Sequence, residues 1–473
     1  MKQKAITGVK WTTLSKVVVT SFQLIYIAVL ARYLSPVDFG LMAIVMVVIG
    51  FSQAFMDMGI SNAIIYKQGI TDEQLSSLYW LNIGSGVVLA GFVILLSPLI
   101  ADFYNQSAIE DILVLLSLTF IITAIGNQYR ILFQKELRFN ILAKIEIVSA
   151  IASLVVAVYC AMNDFGVYAL VNGSLTTVIV SSSLVFITGI KEHKPAFVFH
   201  YAEIKGFINF GLYQMAEKSV NYFSSQFDIL LIGKLLGAES LGIYSLVKQL
   251  VMRPSMIINP IVTQVAFPLM SKVQDDTEQL KSIYLKMINS LSSINFPIHI
   301  AMAILAEAIV VVLFGDKWIT AVPILQILSI YAMLRSTGNP IGALLLAKGR
   351  ADLGFWWNFA LFFIIIVVIY MGSSFGLKGI AWSLLLLQVV LSVLSWYFLV
   401  NRLCSAGFLE YYKQILNPLF LATISGAIGY SGLIITDNYL LQITSVSVIG
   451  LIVYVILSMY FNRGFVSMIK AFK

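Results

Sequence analysis

Charge is scarce in this chain. Only 11% of its 473 residues are Asp, Glu, Lys or Arg, where a soluble domain carries about 25%. Hydrophobic residues make up 59% and mean hydropathy is +0.92, which excludes a soluble globular protein. Cysteine is nearly absent. Cys160 and Cys404 are expected near opposite membrane faces, which excludes a disulfide between them. The three histidines, His193, His200 and His299, are scattered without metal-ligand spacing, so neither a metal nor a cofactor is expected. There is no Walker A loop, no nucleophile elbow and no HExxH. The expected outside loops are too short to build a catalytic centre, so the chain does not read as an enzyme. A net charge of +7 does not imply nucleic acid here, because basic residues in a membrane protein mark its cytoplasmic side.

What is present is a succession of apolar runs. About 20 such residues cross a bilayer as a helix. Fourteen candidates fall at roughly 9–31, 39–62, 76–100, 111–131, 140–162, 165–189, 207–232, 240–268, 282–314, 319–346, 353–372, 376–400, 412–434 and 439–461. The basic N-terminus (MKQKAITGVK) leads into an apolar segment too long for a signal peptide, and it is expected to stay as the first span. With a cytoplasmic N-terminus, about twenty basic residues fall in inside loops and termini. Only Arg32, Lys234, Lys317 and Lys378 fall outside. Both termini are therefore expected to be cytoplasmic. The 282–314 span is overlong, with a start that suits an interfacial helix. The loop at 190–206, rich in aromatic and basic residues, suits a segment lying in the interface.

The chain also shows weak internal repetition. An offset of 202 places residues 31–42 (ARYLSPVDFGLM) over 233–244 (GKLLGAESLGIY), with Arg32 on Lys234, Leu34 on Leu236 and Gly40 on Gly242. A second fragment, Gly126-Asn127 and Gly338-Asn339, repeats at 212. The expected organisation is six spans in 1–190, a linker at 191–206, six spans in 207–402 and two more in 403–473.

The same 202 offset relates Lys16 to Lys218, each inside an apolar span. A charge at the bilayer centre costs roughly 2.5–3.5 kcal/mol on insertion scales, so such residues are functional candidates. Thr12, Lys16, Thr20 and Gln23 share one helix face, as do Gln214, Lys218, Asn221 and Ser225, with Asp228 farther along and Glu217 beside the lysine. Both stripes are expected to line a water-filled cavity. The alternatives are local pairing and, for Lys16, snorkelling toward headgroups. Lys248, Arg253 and Arg335 complete a cationic set of candidate substrate ligands. Asp57, Glu217, Asp228 and Glu307 are the candidate groups for coupling to protons or sodium. The cationic excess suits an anionic substrate, and guanidinium pairs well with phosphate. Pro254, Pro260 and Pro268 are expected to bend the eighth span.

Leu30–Ile44 (LARYLSPVDFGLMAI) and Ala54–Ile65 (AFMDMGISNAII) resemble the first two spans of polysaccharide exporters of the multidrug/oligosaccharidyl-lipid/polysaccharide exporter superfamily. Leu344–Leu353 (LLLAKGRADL) is similar to a segment of its colanic-acid-exporter-like branch. The resemblance implies an all-α membrane protein built as two six-helix bundles in a V, with two extra C-terminal helices. It implies a flippase for undecaprenyl-pyrophosphate-linked oligosaccharides in a bacterial inner membrane. Its partners would be that lipid-linked substrate, membrane lipids, a polysaccharide polymerase and glycosyltransferases. Two other functions compete. A cation-coupled multidrug exporter of the same superfamily would favour an acidic, aromatic cavity. A membrane-embedded polysaccharide polymerase would need a catalytic loop outside.

Overall fold

The computed structural model describes residues 2–56, 61, 64–65, 69–338, 340–434, 436–462 and 464–465. Side chains are described for these except at 2–7, 9, 203, 205–214, 216–218 and 220–221. Among the described residues the regular structure is helical throughout, with no strand. The helices are α1 (Lys2–Tyr33), α2 (Pro36–Met56), α3 (Asp72–Tyr104), α4 (Ala108–Lys135), α5 (Phe139–Met162) and α6 (Tyr168–Gly189). Two helices, α7 (201–236) and α8 (238–272), meet at Gly237 within the continuous stretch Tyr201–Lys272. Then follow α9 (Thr277–Ile304), α10 (Ala306–Phe314), α11 (Val322–Gly338), α12 (Pro340–Ala347), α13 (Ala351–Ser373), α14 (Gly376–Ser395), α15 (Asn401–Cys404), α16 (Phe408–Gly429) and α17 (Tyr439–Phe461).

Twelve described stretches are long and apolar enough to cross a membrane. One of them, Tyr222–Lys272, joins the end of α7 to all of α8. The 22-residue α16 lies against both α9 and α17. The seventh and eighth of the fourteen expected spans thus fall in one continuous helical stretch, and the thirteenth falls on α16, which is not among the twelve. The protein is thus an all-α, multi-pass membrane protein.

Helix ends are set by local chemistry. Ser35 caps α2, with Pro36 in the first helical position, where its missing N–H costs nothing. The Ser35 amide and hydroxyl both donate to Asp38 Oδ2, at 2.8 and 2.7 Å, and the Asp38 amide returns to Ser35 Oγ. Thr71 and Gln74 form a capping box at the start of α3. The expected 282–314 span is two helices, because the chain breaks at Leu305 between α9 and α10. The region of Pro254, Pro260 and Pro268 keeps helical dihedrals, and the non-helical residue is Gly237 (φ +80°, ψ 177°). Both cysteines are free and buried.

Proline has no N–H, so the carbonyl four residues earlier loses its helical donor. In hydrocarbon that carbonyl must find another. Pro98 frees Ile94, whose oxygen accepts from the Ser97 hydroxyl at 2.8 Å. Pro297 frees Ser293, which accepts from the Tyr454 hydroxyl of α17 at 2.8 Å. The Ser336 carbonyl, in the last turn of α11, is likewise satisfied from outside its helix, by the Asn259 side-chain amide of α8 at 3.1 Å.

The chain divides into two compact units, Met1–Gly242 and Ile243–Lys473. In the first, α1 packs on α5, α3 on α4, and α6 on both α4 and α5. The linker at 190–200 is tied to this unit. The Trp80 indole N–H donates to the Ala196 carbonyl at 2.9 Å, and the Ala196 amide donates to Ser76 Oγ. Phe197 stacks on Trp80. In the second unit α9 is central and packs on α11 and α16, while α14 packs on α11 and α13. Only Ile369 and Gly372 of α13 are buried, so this apolar helix presents most of its surface to lipid.

Candidate functional site

The α1 stripe is open. Lys16 and Gln23 are exposed, and Thr12 and Thr20 are half-buried. Among the described residues Lys16 has no hydrogen-bond or ion-pair partner. Its neighbour Ser15 is buried and donates to Glu146 of α5 at 3.3 Å. Glu146 pairs with Arg130 of α4 at 3.8 Å, and Arg130 also donates to Ser181 of α6. One side of α1 is therefore fastened to the bundle through a charged cluster, while the adjacent side offers Lys16. The cluster joins residues far apart in sequence, so no local pattern signals it.

On α7 the side chains of Lys218 and Glu217 lie outside the described residues, and so does Asp57. Ser225 is exposed and bonds the Tyr222 carbonyl of its own helix. Asp228 is half-buried. Tyr222, one turn beyond Lys218, donates to the Met46 carbonyl at 3.3 Å, which seats α7 against α2.

The 202 offset is expressed as a physical contact. A methyl group at Gly40 would overlap the Ala238 carbonyl, and one at Gly242 would overlap the Pro36 carbonyl. Ala238 is Pro36 shifted by 202, and Gly242 is Gly40 shifted by 202. The α1–α2 and α7–α8 turns thus cross reciprocally, in the manner of a two-fold interface. Glycine is required on each side so that the backbones can approach.

In the second unit Lys248 is half-buried with its ammonium 5.8 Å from the Tyr244 ring centre. Arg253 is half-buried as well. Arg335 is exposed and donates to the Tyr331 hydroxyl. The helices bearing Arg253 and Arg335 are joined by the Asn259–Ser336 bond. Glu307 is exposed in the first turn of α10 and accepts from Tyr439 at 3.2 Å. An apolar cavity of about 730 Å³ opens among α9, α11 and α16. Apart from Thr423 and Tyr430 its lining has no polar side chain, so it suits hydrocarbon and not sugar or phosphate. Outside the spans, the Arg138 guanidinium hydrogen-bonds Glu192 and holds its carboxyl below the usual carboxylate range. Among the described residues no three His, Cys, Asp or Glu cluster as metal ligands would.

A family model described as "Polysaccharide biosynthesis protein" matches residues 29–323. The lipopolysaccharide biosynthesis protein WzxC of Escherichia coli (strain K12) is 33% identical over 432 residues, spanning 91% of this chain and 88% of its own length. The teichuronic acid biosynthesis protein TuaB of Bacillus subtilis (strain 168) is 34% identical over 444 residues, spanning 93% and 91%. Among solved structures, the lipid II flippase MurJ in an inward closed conformation superposes with a TM-score of 0.75. That match covers 98% of this chain and 100% of the other at 15% identity, a likeness of fold.

Proposed function

Because this chain belongs to the polysaccharide biosynthesis protein family, we propose that it is a flippase for lipid-linked oligosaccharides. It carries undecaprenyl-pyrophosphate-linked repeat units from the inner to the outer leaflet of a bacterial inner membrane, by alternating access, with both termini in the cytoplasm. The product feeds exopolysaccharide, capsule or O-antigen synthesis, with a polymerase and glycosyltransferases as partners. The main support is identity of 33% and 34%, along 91% and 93% of the chain, to proteins named for lipopolysaccharide and teichuronic acid biosynthesis.

The residues supply a physical rationale. Lys16, Lys218, Lys248, Arg253 and Arg335 bind the anionic head group, with Gln23 and Ser225 bonding sugar hydroxyls. Guanidinium groups match phosphate oxygens in pairs. The prenyl tail stays in hydrocarbon. Asp57, Glu217, Asp228 and Glu307 are the carboxylates available for coupling to protons or sodium. A multidrug exporter for cationic drugs fits this cationic set poorly, because like charges repel.

The test is deletion of the gene, followed by assay of the lipid-linked glycan left on the cytoplasmic leaflet. Accumulation relieved by the wild-type gene is expected, with weaker rescue by Lys16→Ala and Lys218→Ala. Absence of any accumulated lipid-linked glycan would overturn the transport reading. Full rescue by both variants would overturn the role of the lysines.

A further inference from the structure

We propose that His299 is a proton-binding site within the membrane part of the second unit. The residue is fully buried on α9. Its Nδ1 lies 2.7 Å from the Asn295 carbonyl one turn earlier, and its Nε2 lies 3.1 Å from the Val251 carbonyl of α8. Both partners are acceptors only. A neutral imidazole has one N–H, so it serves one carbonyl and turns a lone pair toward the other. The protonated ring donates to both, and it then carries a charge in a buried place. An unmade hydrogen bond opposes a buried charge, so proton occupancy responds to whatever changes the local field or hydration.

The site is wired to its surroundings. The Ser255 hydroxyl donates to Asn295 Oδ1, Asn295 Nδ2 donates to Asn259 Oδ1, and Asn259 reaches the Ser336 carbonyl of α11. The ring therefore sits where α8, α9 and α11 are fastened together. Of the ionisable groups on these helices, α8 brings Lys248 and Arg253, α11 brings Tyr331 and Arg335, and α9 brings Lys286, about 20 Å along its axis. Glu307 of α10 is engaged by Tyr439 of α17, and Tyr454 of α17 by the Ser293 carbonyl. The α16 side brings Tyr430, with Glu410, Tyr411, Tyr412 and Lys413 at its far end, and α15 brings Arg402 and Cys404. Among the described residues no carboxylate hydrogen-bonds the ring. The nearby charges on α8 and α11 are cationic and oppose a further proton. An anion beside Lys248, Arg253 or Arg335 relieves that opposition, so anion and proton binding are linked. The linkage rests on the anionic-substrate reading above; the proton site does not.

The chain has three histidines, and His193 and His200 lie in the linker outside the spans. Full-length protein labelled with ¹⁵N-histidine in lipid nanodiscs therefore gives three imidazole signals. The signal missing from His299→Gln is expected to pass from singly to doubly protonated as pH falls from ~9 to ~5. A ring that stays neutral, or stays doubly protonated, over that range overturns the proposal. If His299→Gln does not fold, the double variant H193N/H200N leaves His299 as the sole histidine and gives the same reading. The difference in thermal midpoint between wild type and His299→Gln is expected to change with pH, and a constant difference marks a merely structural histidine. Inorganic pyrophosphate is expected to move the titration of the ring to higher pH. A ring that titrates without that movement counts against the anionic-substrate reading and the linkage, and supports the proton site alone.

Discussion

Two polar clusters, one in each unit, fasten helices by different chemistry. In the first, charges meet: Arg130 pairs with Glu146 and donates to Ser181, while Glu146 also takes the Ser15 hydroxyl. In the second, the deep contacts are neutral amides and hydroxyls, Ser255–Asn295–Asn259, ending on a backbone carbonyl. Depth accounts for the difference. Arg130 lies about 8 Å from the end of α4 and Asn259 about 20 Å from the end of α8, at 1.5 Å per residue. The Arg130 and Glu146 side chains are 36% and 41% exposed, whereas Asn259 is 1% exposed. An ion at Asn259's depth would cost far more than an amide. Amides therefore hold the helices together where ion pairs would be too expensive to bury. A polar residue in a span is thus not by that fact part of a transport path.

That comparison breaks most readily at Asn295. Asn295→Ala leaves Ser255 and Asn259 without their partner in a buried place, and should destabilise the protein by about 2–4 kcal/mol. Thermal unfolding in nanodiscs measures this, and an unchanged midpoint would remove the amide chain as a stabilising element. Arg130→Met should cost only about 1 kcal/mol or less, because its ion pair is over a third exposed. Raising salt to ~1 M should shrink the Arg130→Met effect and leave that of Asn295→Ala unchanged. Equal salt sensitivity would contradict the assignment by depth.

The smallest effect concerns Glu192, whose carboxyl Arg138 holds below its usual range. A depressed carboxylate stabilises the fold above its unfolded value, roughly pH 4.3. That contribution fades as pH falls through the lower folded value. Glu192→Gln should therefore narrow the stability gap between neutral and acidic solution, as read from unfolding midpoints at the two pH values.

The spans were legible in the sequence because long apolar runs have few alternatives to crossing a bilayer. The register between the α1–α2 and α7–α8 turns was legible too, since Gly40 and Gly242 stand at matching positions and each meets the other's turn. Their chemistry differs: Ser35 and Asp38 cap one turn, and a positive φ at Gly237 makes the other. The break at Leu305 was signalled only by the excess length of the 282–314 run, with Glu307 as the one charged residue near it. The roles of Asn259 and Tyr454 were hidden for another reason. Each satisfies a carbonyl on a helix distant in sequence, and only the packed structure brings them together. Lys16 was legible as a charge on a polar stripe, while the cluster behind it, through Ser15, was not.

Pro297 and Tyr454 have a consequence for inheritance. Tyr454→Phe alone would strand the Ser293 carbonyl in hydrocarbon, and Pro297→Ala alone would offer that carbonyl a second donor and leave the hydroxyl in competition with it. Asn259 likewise serves the Ser336 carbonyl at the end of α11. Each donor and its acceptor form one heritable unit carried on two helices. A chimaera that exchanges α11 or α17 with a relative has to carry the matching donor or acceptor helix with it, and helices exchanged singly should express poorly even where their lipid-facing sides are interchangeable.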